Sequence, residues 1–182
     1  MNLFIDTHLN DVVIILSNNG RICKDKTIIG EKQNSRIIMP TIKKLLNNEK
    51  PKSIVVVNGP GSFTGVRLGV TIAKTLAYTL GIPIYTITAL ECMAISVDDS
   101  EKIVAFNDNN GYYIGIFNKR NKLIGNYEYL NNIEFNEFKK EHNILENIKL
   151  NYENIINFAL TKKPINAHKV NPIYIKKIDV EK

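Results

Sequence analysis

Three observations predict an α/β fold. From residue 53 onward, short apolar runs that read as strands alternate with segments of helical periodicity. Ahead of them lie strand-like runs joined by short turns. One stretch, SIVVVNGPGSFTGVRLGVTIAKTLAYTLG (53–81), passes from an apolar run through a glycine-proline turn into a long helical pattern. Written in order, the first hundred residues read βββαβαβα, a layered α/β architecture.

Each element has its own signal. NLFIDT is a strand, and DVVIILSNNGRI a second one. SNNG (Ser17 to Gly20) is a turn signal that leads back into RICKDKTII, so three antiparallel strands form a meander. In SRIIMPTIKKLLNNE, Ile38, Ile42 and Leu45 or Leu46 fall at helical spacing, with Lys43 and Lys44 off that face. Ser35 suits the N-cap, and Pro40 suits an early turn of this helix better than its interior. SIVVV is wholly apolar, as in a strand covered on both faces. The next helix runs from Ser62 to Leu80 and ends at Gly81, where glycine accepts a left-handed C-cap. IPIYTI is a further strand, and TALECMAISV a short helix capped by Thr88.

In the second half, KIVAFND and YYIGIFN read as strands around an Asn/Gly turn, and KLIGNYEYL as a third. NEFKKEHNILENIKL and NYENIINFALTKK are helical or mixed, and NPIYIKKI closes the chain. The order of the first half is that of the ribonuclease-H-like unit of the actin-like ATPases. Two lobes are expected, 1–100 and a shortened second lobe over 101–182.

Composition narrows the class. The 182 residues are 44% hydrophobic and 23% charged, a globular balance. No apolar run approaches the roughly 20 residues of a membrane span. MNLFIDTHLN has no positive n-region or long apolar h-region, so no signal peptide and a cytoplasmic location are expected. Cys23 and Cys92 lack metal spacing and read as free thiols. The formal net charge of +6 suits an anionic partner such as RNA. Yet the bias lies in lysine, in a chain dominated by Ile, Asn and Lys, the set that AT-rich codons deliver. No dense Lys/Arg block interleaved with aromatics appears along the chain.

The glycine turn is a candidate phosphate site. Gly59, Gly61 and Gly65 spell G-x-G-x-x-x-G, one residue longer than the dinucleotide fingerprint, and no Gly-Lys of a P-loop follows. Pro60 removes one backbone N–H from the turn. Ser62, Thr64 and Arg67 are suitable anion donors at a helix N-terminus; equally, the glycines serve a sharp strand-to-helix turn. Catalytic motifs are missing elsewhere. His8, His142 and His168 form no zinc pair, and PGSFTG is no nucleophile elbow. Asp6 stands where actin-like ATPases place a metal-coordinating Asp, and Asp108 at the analogous point of the second half. The loop DTHLND has no glycine to form a phosphate nest. His8 reads as a surface or capping group. No metal and no cofactor are expected.

Along the helix, Gly65, Gly69, Ala73 and Ala77 recur every four residues, flanked by Ile72, Leu76 and Leu80. A glycine inside a helix costs about 1 kcal/mol relative to alanine, so Gly69 requires a reason. Such a stripe allows close approach, either of the chain's own sheet or of a helix from a partner.

NGPGSFTGVRLGVTIAKTLA resembles the signature of the bacterial TsaB (YeaZ) family, G-P-G-S-F-T-G-[LV]-R-[IL]-G, over Gly59, Pro60, Gly61, Ser62, Phe63, Thr64, Arg67 and on to Gly69. IDT matches the family's start. NSRIIMPTIKKLL is similar to its H-S-x-x-L-x-P-x-I-x-x-L-L helix, with Asn34 for the histidine. NPIYIKK resembles the P-x-Y-[LI]-R ending, with Lys176 for the arginine. The likeness is good to about residue 100 and thin beyond, where FNDNNGYYIGIF only loosely follows the usual D-A-x-x-x-E-V-Y. The resemblance implies an actin-like-fold subunit without catalysis. It implies binding to TsaD through the two helices after the meander, TsaE in a ternary complex, and support of threonylcarbamoyl transfer to adenosine 37 of tRNA. A second TsaB is the other partner the family uses, and tRNA is met only through the complex. The interface would be Gly65, Leu68, Gly69, Ile72, Ala73, Leu76 and Ala77, and Gly69→Leu would abolish partner binding without unfolding. Two other readings stand beside it: a nucleotide-binding phosphotransferase of the same superfamily, and a direct tRNA-binding module.

Overall fold

The computed structural model describes residues 1–30, 35–97 and 101–175. The Ser35 side chain and the family positions Asn34 and Lys176 lie outside these. The first sheet contains β1 (Asn2–Asp6), β2 (Val12–Asn18), β3 (Arg21–Ile28), β4 (Ser53–Val57) and β5 (Ile84–Ile87) in the order β3-β2-β1-β4-β5. The first three form the antiparallel meander, and β4 and β5 continue parallel to β1. This is the ribonuclease-H-like order. Asn19 and Gly20 take positive φ in the two-residue turn between β2 and β3, as an Asn-Gly hairpin requires.

Alternation along the strands builds two cores. Leu3, Ile5, Ile14, Leu16, Ile54 and Val56 face one side, under helices α1 (Ser35–Leu46) and α2 (Phe63–Leu80). Phe4, Val13, Ile15, Val55 and Val57 face the other, under α3 (Ala89–Ile95) and a helix from the second half, Tyr152–Thr161. Successive residues of a strand point to opposite faces, so a strand apolar at every position is buried twice. Pro40 lies in the second turn of α1, inside the helix rather than at its start. It is exposed there, where the missing N–H interrupts the ladder on the solvent side. Thr88 caps α3 with a full capping box to Glu91.

The second sheet has β6 (Lys102–Asn107), β7 (Gly111–Phe117), β8 (Leu123–Asn131) and β9 (Ile144–Leu145) in the order β8-β7-β6-β9. Helix α4 (Asn132–Glu141) covers one face with Phe135. Helix α3 serves both sheets: Ala89, Cys92 and Ile95 pack on the first, Leu90, Met93 and Ala94 on the second. Lys102 is buried at this joint, its Nζ donating to the Ala94 and Val97 carbonyls at 3.0 and 2.7 Å.

Among the described residues, the nine strands divide at residue 100, but the chain beyond them does not stay with the second sheet. Helix α5 (Tyr152–Thr161) lies against the first sheet. Ile165 then bridges to Ile84 at the β5 edge, Val170 enters the core under α2, and the Ile173 N–H donates to the Asn58 carbonyl at 2.8 Å. A short 3-10 turn (Ala167–Lys169) sits beside α2 in this returning segment.

Candidate functional site

The parallel strands β1 and β4 end at the same edge of the sheet, and their loops meet there. β1 ends on Asp6, with Thr7 and His8 following; after β4 comes the glycine turn, with a cis bond between Gly59 and Pro60. The Ser62 N–H donates to the His8 carbonyl at 2.8 Å. A Cβ on Gly61 would collide with that carbonyl, so the turn closes on the β1 loop only with glycine there. Ser62 then caps α2, its hydroxyl accepting from the Gly65 N–H at 3.3 Å, and Gly81 closes the helix in the left-handed conformation.

Asp6 and His8 form a buried pair. One carboxylate oxygen lies 2.5 Å from His8 Nδ1 and also accepts the His8 backbone N–H at 3.1 Å. His8 is only 4% exposed. It is therefore neither a surface nor a capping group, because the glycine turn folds over it. Residues i and i+2 of extended chain share a face, so the D-x-H spacing at a strand end was the available signal.

Beside this pair opens a cleft of about 670 Å³ between the glycine turn and the β6–β7 turn. His8, Pro60, Ser62, Phe63, Asp108 and Tyr174 are among its lining residues. Asp108 accepts from the Tyr129 hydroxyl at 3.1 Å and from the Asn110 N–H at 3.2 Å. Burial first, and then Asp108, push the Tyr113 hydroxyl well above the ordinary tyrosine range. At the mouth, the Arg67 guanidinium lies 3.8 Å over the Phe63 ring, and its Nε donates to the Tyr174 hydroxyl at 2.7 Å. Tyr174 stands 107 residues from Arg67 in the chain, and no local pattern announces it. Of the signature positions, Pro60 to Phe63 line the cleft; Gly59 packs against Val66 and the Ile173 carbonyl, and Thr64 is exposed. Among the described residues, no group of three or more His, Cys, Asp or Glu is placed to hold a metal ion.

The small-residue stripe faces inward. Gly65, Gly69, Ala73 and Ala77 are buried, the two alanines in the core over β1 and β4. The Thr7 hydroxyl donates to the Gly65 carbonyl at 2.7 Å and occupies the space where a Gly69 Cβ would stand. These four, with buried Ile72, serve the chain's own packing and are no surface for a partner. Gly69→Leu therefore does not isolate an interface. Leu68 and Leu76 alone of the expected set are partly exposed.

Comparisons with known proteins fit this arrangement. A family model described as TsaD, tRNA N6-adenosine threonylcarbamoyltransferase, matches residues 28–107. The Bacillus subtilis protein named tRNA threonylcarbamoyladenosine biosynthesis protein TsaB is 35% identical over 130 residues, 67% of this chain and 57% of that protein. Its Haemophilus influenzae counterpart is 32% identical over 58% of this chain and 48% of its own length. The chain thus spans about half the length of these curated relatives. The uncharacterized protein MG208 of Mycoplasma genitalium is 28% identical over 96% of this chain and 94% of its own. In fold, the YeaZ structure from Pseudomonas aeruginosa superposes with a TM-score of 0.75 at 18% identity, covering 95% of this chain and 98% of that one. With the signature turn, the sheet order and these relatives in agreement, the chain belongs to the TsaB (YeaZ) family.

Proposed function

We propose that this chain is a non-catalytic partner subunit that docks on TsaD and supports threonylcarbamoyl transfer to adenosine 37 of tRNA. The observation that carries the reading is the match to the TsaD model over 28–107, the segment that contains α1 and α2. Two chains that share one helical layer can pack those layers about a pseudo-two-fold axis, as isologous interfaces do. Away from Phe63 and Tyr78, the apolar groups that reach the surface there are the partly exposed Leu68 and Leu76 on α2, with Met39 and Pro40 exposed on α1. TsaE joins in a ternary complex, and a second copy of this chain takes the same face when TsaD is absent. Two lobes, 1–100 and 101–182, frame the cleft, with residues 152–173 strapped back on the first.

The loops support the absence of catalysis. Asp6 is engaged by His8, Pro60 has no N–H, and the Ser62 N–H is spent on the His8 carbonyl, so two positions of the turn offer no backbone donor to a phosphate. The test is co-purification with TsaD of the same organism, read by light scattering. A stoichiometric complex is expected, lost in Leu68→Glu while the chain stays folded by circular dichroism. A chain that ignores TsaD, or a Leu68→Glu variant that still binds it, would sink the reading. The cleft favours one alternative, a nucleotide-binding phosphotransferase; heat of ATP binding in calorimetry at millimolar nucleotide would support its first step, and silence dispose of it.

A further inference from the structure

The net positive charge of this chain is carried by one layer, the charges elsewhere summing to zero. Helices α1 and α2 and the segment 164–175 hold six Lys and Arg and no carboxylate, which leaves eighteen of each sign for the remaining residues. The whole excess of +6 therefore lies on the side of the first sheet that these elements cover.

Within that layer, the outward residues of α2 form two strips along the sides of one face, with exposed Thr71 between them. At 3.6 residues per turn, Phe63, Arg67, Lys74 and Tyr78 lie within about 60° of one another around the axis. Thr64, Leu68, Thr75 and Thr79 occupy the next 60° or so. The first strip is joined to the returning segment along its length. Phe63 and Arg67 contact Tyr174, Lys74 Nζ donates to the Val170 carbonyl at 3.1 Å, and the Tyr78 ring meets His168 edge-on at 4.8 Å. Phe63, Tyr78 and Tyr174 nevertheless remain 52%, 64% and 53% exposed. From Phe63 to Tyr78 the strip is roughly 22 Å long at 1.5 Å per residue. Interleaving of rings and cations, missing along the chain, is thus made in space by segments about a hundred residues apart.

We propose that this strip binds single-stranded RNA, its phosphates on Arg67, Lys74 and Lys169 and its bases stacked on Phe63, Tyr174 and Tyr78. The inference rests on the tRNA-modification reading above, which supplies the RNA, and makes the contact direct. Exposed rings favour RNA over an acidic protein, because every base offers a face to stack and a carboxylate does not. Lys74 keeps two donors beyond the one given to Val170. The strip is distinct from the side of α2 that carries Leu68, so RNA and TsaD need not compete.

The test is fluorescence anisotropy of the full chain with a labelled single-stranded RNA of about 12 nucleotides, long enough to track one groove. Binding is expected at low salt, weakening roughly four-fold for each doubling of salt, as three phosphate contacts on a single strand require. Phe63→Ala and Tyr174→Ala should each weaken it about ten-fold, with melting temperature and TsaD co-purification kept. Leu68→Glu should do the reverse, losing TsaD and keeping RNA, so the two readings fail separately. No binding at low salt would overturn the proposal. So would polyglutamate competing as well as RNA, or affinity that survives both ring deletions but is lost in Lys43→Glu/Lys44→Glu on α1.

Discussion

Gly69→Ala adds a single carbon atom and puts it where Thr7 already is. The Thr7 side chain is fully buried, and its hydroxyl is tied to the Gly65 carbonyl at 2.7 Å. The new Cβ would fall inside the radius of that oxygen and lie 3.3 Å from Thr7 Cβ and Cγ2. Threonine is branched at Cβ, so rotating it trades the oxygen for the methyl and clears little space. Overpacking of this kind costs about 1–3 kcal/mol. Loss of the buried hydroxyl's bond adds about 1–3 kcal/mol. The better helix propensity of alanine returns about 1 kcal/mol. The net is a loss of about 3 kcal/mol, which at about 2–4 °C per kcal/mol for a chain of this size lowers the melting temperature by roughly 6–12 °C. Urea denaturation followed by circular dichroism measures it. Thr7→Ala removes both the oxygen and the methyl, so adding Gly69→Ala to Thr7→Ala should cost almost nothing, a coupling of about 2–3 kcal/mol. A Gly69→Ala chain as stable as its parent, or more so, would refute the argument: Gly69 would then face outward, and the partner reading of the stripe would return.

Three further outcomes are expected. Tyr113, Tyr127 and Tyr152 are held above their ordinary range, chiefly by burial, so the folded state keeps protons that the unfolded state gives up. Their contribution is intact below about pH 10 and lost as pH rises towards the folded values; tyrosinate absorbance should show three of the eight tyrosines ionising only with unfolding. Cys23 is exposed while Cys92 is buried, its thiol pushed up by burial and then by Asp6. A disulfide-exchange reagent should therefore titrate one thiol in the native chain and two in denaturant, and two fast native thiols would contradict the packing of α3. Thr88→Ala removes the cap of α3 and the hydroxyl contact to Tyr127 at 3.0 Å, for a loss of about 1–2 kcal/mol in the same urea assay.

Where local chemistry decides, the sequence was legible. Ser62 and Gly81 bound α2, Thr88 opens α3, and Asn19-Gly20 turns the hairpin, because caps and turns are made by residues beside the backbone groups they satisfy. The stripe on α2 was legible as a stripe but not as to direction. A period of four in small residues is the same whether sheet or partner approaches; Thr7, 62 residues upstream, decides it. His8 was misread for a similar reason, since its burial depends on a turn more than fifty residues away. The strip on α2 was invisible because half of it, Tyr174, His168 and Lys169, arrives from the far end of the described chain.

The return of residues 151–173 to the first sheet has a consequence for synthesis. A ribosome delivers β1 through α3 first, yet the apolar underside of that sheet waits for Ile155, Ile156 and Ala159, and the β5 edge for Ile165. At 5–20 residues per second, the roughly 70 residues in between leave that face covered by α3 alone for about 4–14 s. During this interval the nascent chain offers an open strand edge and a greasy plane to whatever lies nearby, as a fragment ending at residue 100 would do permanently. Chaperone dependence and aggregation of such fragments are thus written into the order in which the chain closes its own sheet.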